Sequence, residues 1–166
     1  MAEGDDDPGD WFAVVDTAQD PILHSLVLRA RGHTCLFSGN LPPVLAMASP
    51  WLVRLRPEEP LLEAWKEGGR GKNWGIMCRS HRTLSDLRKH FRQFLQAQMP
   101  DSRIVMFRFY DPRVFNTYIR AATPEERRPW FEGLGLFAVE GETPDILHNY
   151  NLRGDILFDA DSPVGG

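Results

Sequence analysis

The side chains best suited to binding or catalysis lie in the stretch Arg103–Arg113, where charged residues are interspersed with aromatic ones. A strand over Ile104–Tyr110 would place Arg108 and Tyr110 on the face opposite its phenylalanines. If both faces of the sheet are covered, the Arg108 guanidinium is buried and needs a counterion, because an unpaired buried charge is costly. We predict that Asp16, at the end of the first strand, is this counterion.

Two interpretations of this stretch stay open. In the first, the ion pair fixes the sheet and orients a following helix, for which Asp111 supplies the N-cap and Pro112 the first helical residue. In the second, Arg108, Tyr110 and Arg113 emerge at the carboxyl end of a strand, where open α/β sheets place ligand sites.

A second basic cluster surrounds the clearest amphipathic helix, which begins after Thr83 and carries Arg88 and Arg92. Such a cluster is usually the solvated face of a helix, and a partner-binding face is the alternative. Arginine and aromatic residues often dominate binding energy at protein interfaces. The residues predicted to bind a partner are therefore Trp74, Arg79, Arg88, Arg92, Arg108, Tyr110 and Arg113.

Motifs that would support catalysis are absent from the sequence. The loop Gly68–Asn73 lacks the spacing and the hydroxyl residue of a phosphate-binding loop, and it follows a helix instead of preceding one. The five histidines have no metal-ligand spacing, and no nucleophile elbow occurs. Cys35 and Cys78 lie in apolar runs typical of reduced core thiols. We predict a protein that is not an enzyme and needs neither cofactor nor metal.

One enzymatic alternative remains open. A hydrolase or nuclease site could be assembled at the strand carboxyl ends from Asp16, Asp111 and His33. Proximity of at least two of these side chains in a cleft would favour it.

Composition argues against two classes of partner. The chain of 166 residues has a formal net charge of -4 and a pI near 5.7, which does not suggest a nucleic-acid partner. It has no apolar run long enough to span a membrane and no basic, apolar leader, so we expect no membrane partner and a cytoplasmic location.

Short apolar runs alternate with amphipathic stretches along the chain, which predicts an α/β fold. We expect a mostly parallel or mixed central sheet of about five to seven strands with helices on both faces. The predicted organisation is a disordered acidic tail over 1–10, a single domain over 11–160 and a flexible C-terminal end over 161–166. The predicted strands are Trp11–Val15, Thr34–Phe37, Trp51–Leu55, Trp74–Arg79, Ile104–Tyr110 and Leu134–Val139, with further edge strands between Asp145 and Phe158.

Several motifs resemble those of one family, in the same order along nearly the whole chain. Phe12–Ala18 resembles its opening strand ending in Asp, and Asn73–Ser80 followed by a helix resembles its Trp-Gly strand. Phe107–Val114, with the sequence FRFYDPRV, resembles its most characteristic motif. The family is domain of unknown function 4123, although Val15 stands where its members commonly have an aromatic residue.

The resemblance implies an adaptor or chaperone in the cytoplasm of a Gram-negative bacterium. Such a protein binds a toxic effector of the type VI secretion system, by our expectation through the N-terminal region of the effector, and helps to load it onto the VgrG spike. An interaction module unrelated to secretion is the other binding-protein alternative.

Overall fold

The computed structural model describes residues 7–163, which form one seven-stranded sheet and a separate two-stranded hairpin. Residues 1–6 of the predicted acidic tail and 164–166 of the predicted flexible end lie outside the described residues. Of the rest, Asp10 already belongs to the first strand and 161–163 to the last. The strands are β1 Asp10–Asp16, β2 His33–Cys35, β3 Pro50–Arg54, β4 Gly75–Ser80, β5 Gln96–Gln98, β6 Ile104–Met106, β7 Leu134–Glu140, β8 Ile146–Arg153 and β9 Ile156–Pro163.

Six α-helices lie between these strands, and three of them have side-chain N-caps. Thr83 accepts a hydrogen bond from the Asp86 backbone N–H, and Thr123 and Glu126 form a reciprocal capping box. The helices are α1 Leu23–Leu28, α2 Pro43–Ala46, α3 Pro60–Ala64, α4 Leu84–Arg92, α5 Pro112–Ala121 and α6 Pro124–Arg127. Short 3-10 helices occupy Thr17–Gln19 and Arg128–Phe131, and a π-helical turn, Trp65–Gly69, extends α3.

All strand pairs of the main sheet are antiparallel, so the prediction of a mostly parallel or mixed sheet is wrong, although the fold is α/β. The strand order is β2-β3-β1-β4-β7-β8-β9. The prediction assumed that strands joined by a helix become neighbours. β3 and β4, which α3 joins, do run in the same direction, but β1 lies between them and pairs antiparallel with both.

Strand β1 lies inside the sheet, and its side chains alternate between two covered faces. Phe12 and Val14 belong to one hydrophobic cluster, whereas Ala13 and Val15 belong to a second. The pairing with β4 is also unusually close at Gly75, where an added Cβ would lie 2.0 Å from the Val14 carbonyl oxygen. Only glycine therefore fits at this position of β4.

The predicted strand Ile104–Tyr110 is wrong beyond its first three residues. β6 ends at Met106 and pairs only with β5 in the hairpin. The chain then turns inward, where the Phe107 N–H bonds to the Leu95 carbonyl and the Phe109 ring stacks on Phe91 at 5.7 Å. Packing of the aromatic rings, and not strand alternation, thus determines the conformation of this segment.

The two faces of the sheet are covered to different extents. The first cluster includes residues of α4, α5 and the 3-10 helix Arg128–Phe131, together with residues of β7 and β8. The second cluster, which includes residues of α1 and α3, contains none from β7, β8 or β9. On this second face, Ile156 and Phe158 of β9 are exposed.

Candidate partner-binding site

Asp16 is a buried carboxylate at the carboxyl end of β1, only 3% exposed. Its Oδ1 accepts a hydrogen bond from the Ala18 N–H at 3.1 Å, which caps the following 3-10 helix. Its Oδ2 accepts from the Gln19 amide at 3.0 Å and from Arg108 Nη2 at 2.6 Å. The burial of this charge is therefore offset by three donors.

The predicted Asp16–Arg108 pair is confirmed, but the predicted burial of Arg108 is wrong. The Arg108 side chain is 50% exposed. It follows β6 in an irregular segment, so no second layer covers it as it would cover a central strand. The hydrogen bond to Asp16 raises the pKa of Arg108, and its guanidinium carbon lies 6.0 Å from the centre of the Tyr110 ring.

Asp111 caps α5 as predicted, with Pro112 as the first helical residue. Its Oδ1 accepts from the Arg113 N–H at 2.9 Å, and Arg113 Nη2 donates to Oδ2 at 2.8 Å. Burial alone would raise the pKa of Asp111, but the Arg113 hydrogen bonds and the nearby guanidinium charges hold that pKa below its ordinary value.

These residues form the Asp16–Arg113 corner, which we define as Asp16, Arg108, Tyr110, Asp111 and Arg113. Its two carboxylates and the Tyr110 ring are buried, whereas its two guanidiniums reach solvent, since the Arg113 side chain is 69% exposed. Burial also raises the pKa of Tyr110, so the phenol stays neutral. The corner can offer cationic donors to a partner, and its acceptors are already used internally.

The basic face of α4 is tied to the protein itself. Arg88 Nε donates to the Cys35 carbonyl at 2.9 Å, and Arg92 Nη1 donates to the Leu36 carbonyl at 2.8 Å. Both side chains are half-buried and hold the segment after β2 against α4. Their predicted contact with a partner stays a prediction.

The two remaining predicted residues lie on the other face of the sheet. Trp74 is 1% exposed and packs against Trp65 with ring centres 6.0 Å apart, so it belongs to the core. Arg79 lies 5.3 Å from the centre of the Trp11 ring and forms an ion pair with Asp7 at 3.3 Å. The structure therefore does not gather the seven predicted residues into one surface.

His33 does not join the two aspartates. Its Nδ1 lies 2.7 Å from the Ala30 carbonyl oxygen, and no hydrogen bond or ion pair between His33 and Asp16 or Asp111 occurs within residues 7–163. The described part of the chain therefore does not bring His33 to either aspartate, and the hydrolase or nuclease alternative stays a prediction.

Sequence reasoning missed a groove beside α3, which we call the α3 groove. It contains a cavity of about 330 Å³, within the range of about 300–1,000 Å³ typical of binding pockets. Trp65, Lys66 and Arg70 line it from the α3 side, and Trp11, Met77 and Leu147 line it from the sheet. Strand alternation could have placed Met77 and Trp11 on one face, but the contribution of Leu147 depends on the order of the strands.

Glu140, at the end of β7, also lines the α3 groove and is 3% exposed. Its Oε2 accepts a hydrogen bond from the Gly71 N–H at 2.8 Å, whereas its Oε1 has no hydrogen-bond partner among the described residues. Burial raises the pKa of Glu140 despite the hydrogen bond from the Gly71 backbone. The carboxyl group is therefore incompletely satisfied.

One group of side chains has the composition of a metal site. His148, Asp159 and Asp161 offer ligand atoms within 4.8 Å of one another on the β8–β9 hairpin. His148 Nδ1 lies 2.7 Å from Asp161, and its Nε2 lies 3.2 Å from Glu142. Both ring nitrogens are thus engaged, so a cation could be held only if His148 gave up one of these contacts.

Comparison with known proteins places the chain in one family. A family model described as domain of unknown function (DUF4123) matches residues 11–129, which include the Asp16–Arg113 corner and α3 but not β7, β8 or β9. No curated protein and no solved structure matches the chain. No helix of the described residues is long and apolar enough to cross a membrane. The chain belongs to the DUF4123 family, which is associated with adaptors for type VI secretion effectors.

Proposed function

We propose that this chain is an adaptor that binds a toxic effector of the type VI secretion system and assists its loading onto the VgrG spike. The observation that carries the proposal is the family match over residues 11–129. The partner segment we propose is the N-terminal region of the effector, and the compartment is the bacterial cytoplasm.

We also propose that the protein binds its partner without catalysing a reaction. Asp16 and Asp111 are the acidic residues of the two stretches that resemble family motifs, and each is held by an arginine and by a backbone N–H group. A general base needs a free lone pair directed at its substrate, and these carboxylates direct theirs at Arg108, Arg113 and the backbone. Such an arrangement favours a structural role for the two carboxylates within a binding protein.

The exposed donors of the Asp16–Arg113 corner are proposed as part of the contact. Arg108 and Arg113 are the predicted residues whose side chains are at least half exposed. A guanidinium can bind a carboxylate or a backbone carbonyl of a partner while it keeps its internal bond, because it carries five N–H donors.

Coexpression with the toxin encoded beside this chain tests the proposal. We expect the full-length toxin to copurify with the tagged adaptor at low salt, and a larger complex to form when VgrG is added. Failure of the toxin to copurify with the folded wild-type protein would overturn the adaptor function.

Charge reversal on α4 tests the predicted basic face. Arg88→Glu together with Arg92→Glu removes the bonds to the carbonyls of 35–37, so the melting temperature must be measured beside toxin capture. Lys89→Glu, an exposed change on the same helix, is the matched control. Lost capture by a variant that still melts like the control would place the toxin on this face.

A further inference from the structure

The α3 groove continues onto a half of the sheet that the second hydrophobic cluster does not cover. Alternation places Met77, Leu147 and Phe158 on the same face of neighbouring strands. Met77 and Leu147 are half-buried, and Phe158 is 40% exposed. Met77 and Leu147 thus extend the apolar lining of the cavity onto β4 and β8, and the exposed Phe158 lies further along the same face, beyond the polar side chains of Asn149 and Asn151.

Three charged groups of the α3 groove are incompletely partnered in the described chain. Lys66 and Arg70 are exposed at its rim, and no ion pair within residues 7–163 involves either side chain. Glu140 is buried at the cavity and has one oxygen without a donor. An unsatisfied buried acceptor carries a desolvation cost, and a partner that brings a donor to it relieves that cost.

We propose that the α3 groove binds an amphipathic segment of the effector, which inserts a tryptophan or tyrosine side chain into the cavity and sets carboxylates against Lys66 and Arg70. This inference rests on the proposed function. It names the surface and the chemistry of the segment that the adaptor holds.

The chemistry of the occupant follows from the lining. A tryptophan or tyrosine combines an apolar ring, which Trp65, Met77 and Leu147 can cover, with an N–H or O–H donor for Glu140. The two rim cations favour acidic residues beside that ring, and they disfavour a basic segment. Aromatic side chains seated in a pocket are also the usual anchors of protein interfaces.

The test measures capture of the toxin encoded beside this chain by groove variants of the full-length adaptor. Lys66→Glu combined with Arg70→Glu reverses the charge at the rim of the α3 groove and replaces no buried residue. We expect it to raise the Kd for the toxin about tenfold at low salt, which corresponds to about 1.4 kcal/mol and appears as reduced capture. The matched control reverses two exposed cations elsewhere, Lys89→Glu with Arg103→Glu, and should leave capture unchanged.

A second variant tests the apolar part of the α3 groove. Leu147→Gln should lower capture, whereas Ile104→Gln, on the exposed hairpin, should not. Circular dichroism melting of each variant separates lost binding from lost folding. If wild type and both groove variants capture equal amounts of toxin, the α3 groove does not bind the toxin. Losses in the controls as large as those in the groove variants would lead to the same conclusion, and in both cases the adaptor function still stands. If wild type captures no toxin, the adaptor function fails first and the inference fails with it.

Discussion

The Asp16–Arg113 corner and the α3 groove both bring acidic and basic side chains together, but they differ in how these groups are satisfied. At the corner, Asp16 and Asp111 are buried with arginine donors on their oxygens. In the groove, Glu140 keeps an oxygen without a donor, and Lys66 and Arg70 make no ion pair among the described residues, although the charge of Arg70 partly offsets the rise that burial causes in the pKa of Glu140.

This difference separates stability from recognition. Groups that satisfy one another within the chain stabilise the fold, and removing one of them exposes the desolvation cost of the others. Groups left unsatisfied carry that cost in the free protein and are relieved when a partner supplies the missing bond. We therefore expect variants of the corner to change mainly stability and variants of the groove to change mainly binding.

The largest expected effect comes from Asp16→Ala. It removes the acceptor for Ala18, Gln19 and Arg108 together. Losing one partner of a fully buried pair costs roughly 3–5 kcal/mol, and because Arg108 reaches water we expect a loss of about 2 kcal/mol in the free energy of unfolding. Urea denaturation measures this, and Asp16→Asn, which keeps one oxygen, should lose less. An unchanged unfolding midpoint in Asp16→Ala would show that the Asp16–Arg113 corner does not stabilise the fold.

Asp111→Ala should have a smaller effect, about 1 kcal/mol, because it deletes the side-chain cap of α5. Its lowered pKa adds a pH dependence of known sign. A carboxylate with a depressed folded-state pKa stabilises the protein above its ordinary pKa, and this contribution is lost as the pH falls toward the folded value. Wild type and Asp111→Ala should therefore converge in melting temperature below about pH 4. A constant difference down to pH 2 would contradict the assigned ionisation.

Glu140→Gln should have the smallest effect on stability, and of opposite sign. Burial raises the pKa of Glu140, so the folded protein binds the proton more tightly than the unfolded chain does. Wild-type stability should then fall as the pH rises above about 4.5, the ordinary glutamate value, while the uncharged variant escapes this loss. The variant should melt slightly higher than wild type at pH 7 and equal to it near pH 4. A variant that melts well below wild type at pH 7 would show that Glu140 is a stabilising ion and not an unsatisfied group.

The sequence predicted local features better than it predicted their assembly. The helix start at Asp111-Pro112 follows from capping and is confirmed. The pairing of Asp16 with Arg108 is confirmed as well, although it was predicted from a buried arginine and Arg108 is half exposed. The direction of the sheet was wrong because the position of β1 between β3 and β4 depends on contacts between distant segments. The strand predicted through Tyr110 was wrong because alternation there competes with packing of Phe109 into the aromatic cluster.

The groove escaped sequence reasoning for a similar reason. Its lining comes mainly from β1, the α3 segment, β4, β7, β8 and β9, and no short motif connects them. Arg70 lies in the loop Gly68–Asn73, which was compared with a phosphate-binding loop and rejected, and the spacing of Lys66 and Arg70 carried no other signal. Only the strand order brings them opposite Leu147.

Hydrogen–deuterium exchange of the adaptor, free and bound to the toxin encoded beside it, tests the central claim most directly. The account predicts that binding protects backbone amides in 61–71 and 146–153, the segments that border the α3 groove, with little change at 107–113, where only the arginine side chains are proposed to contact the toxin. Protection confined to 107–113, with 61–71 and 146–153 exchanging as in the free protein, would contradict it.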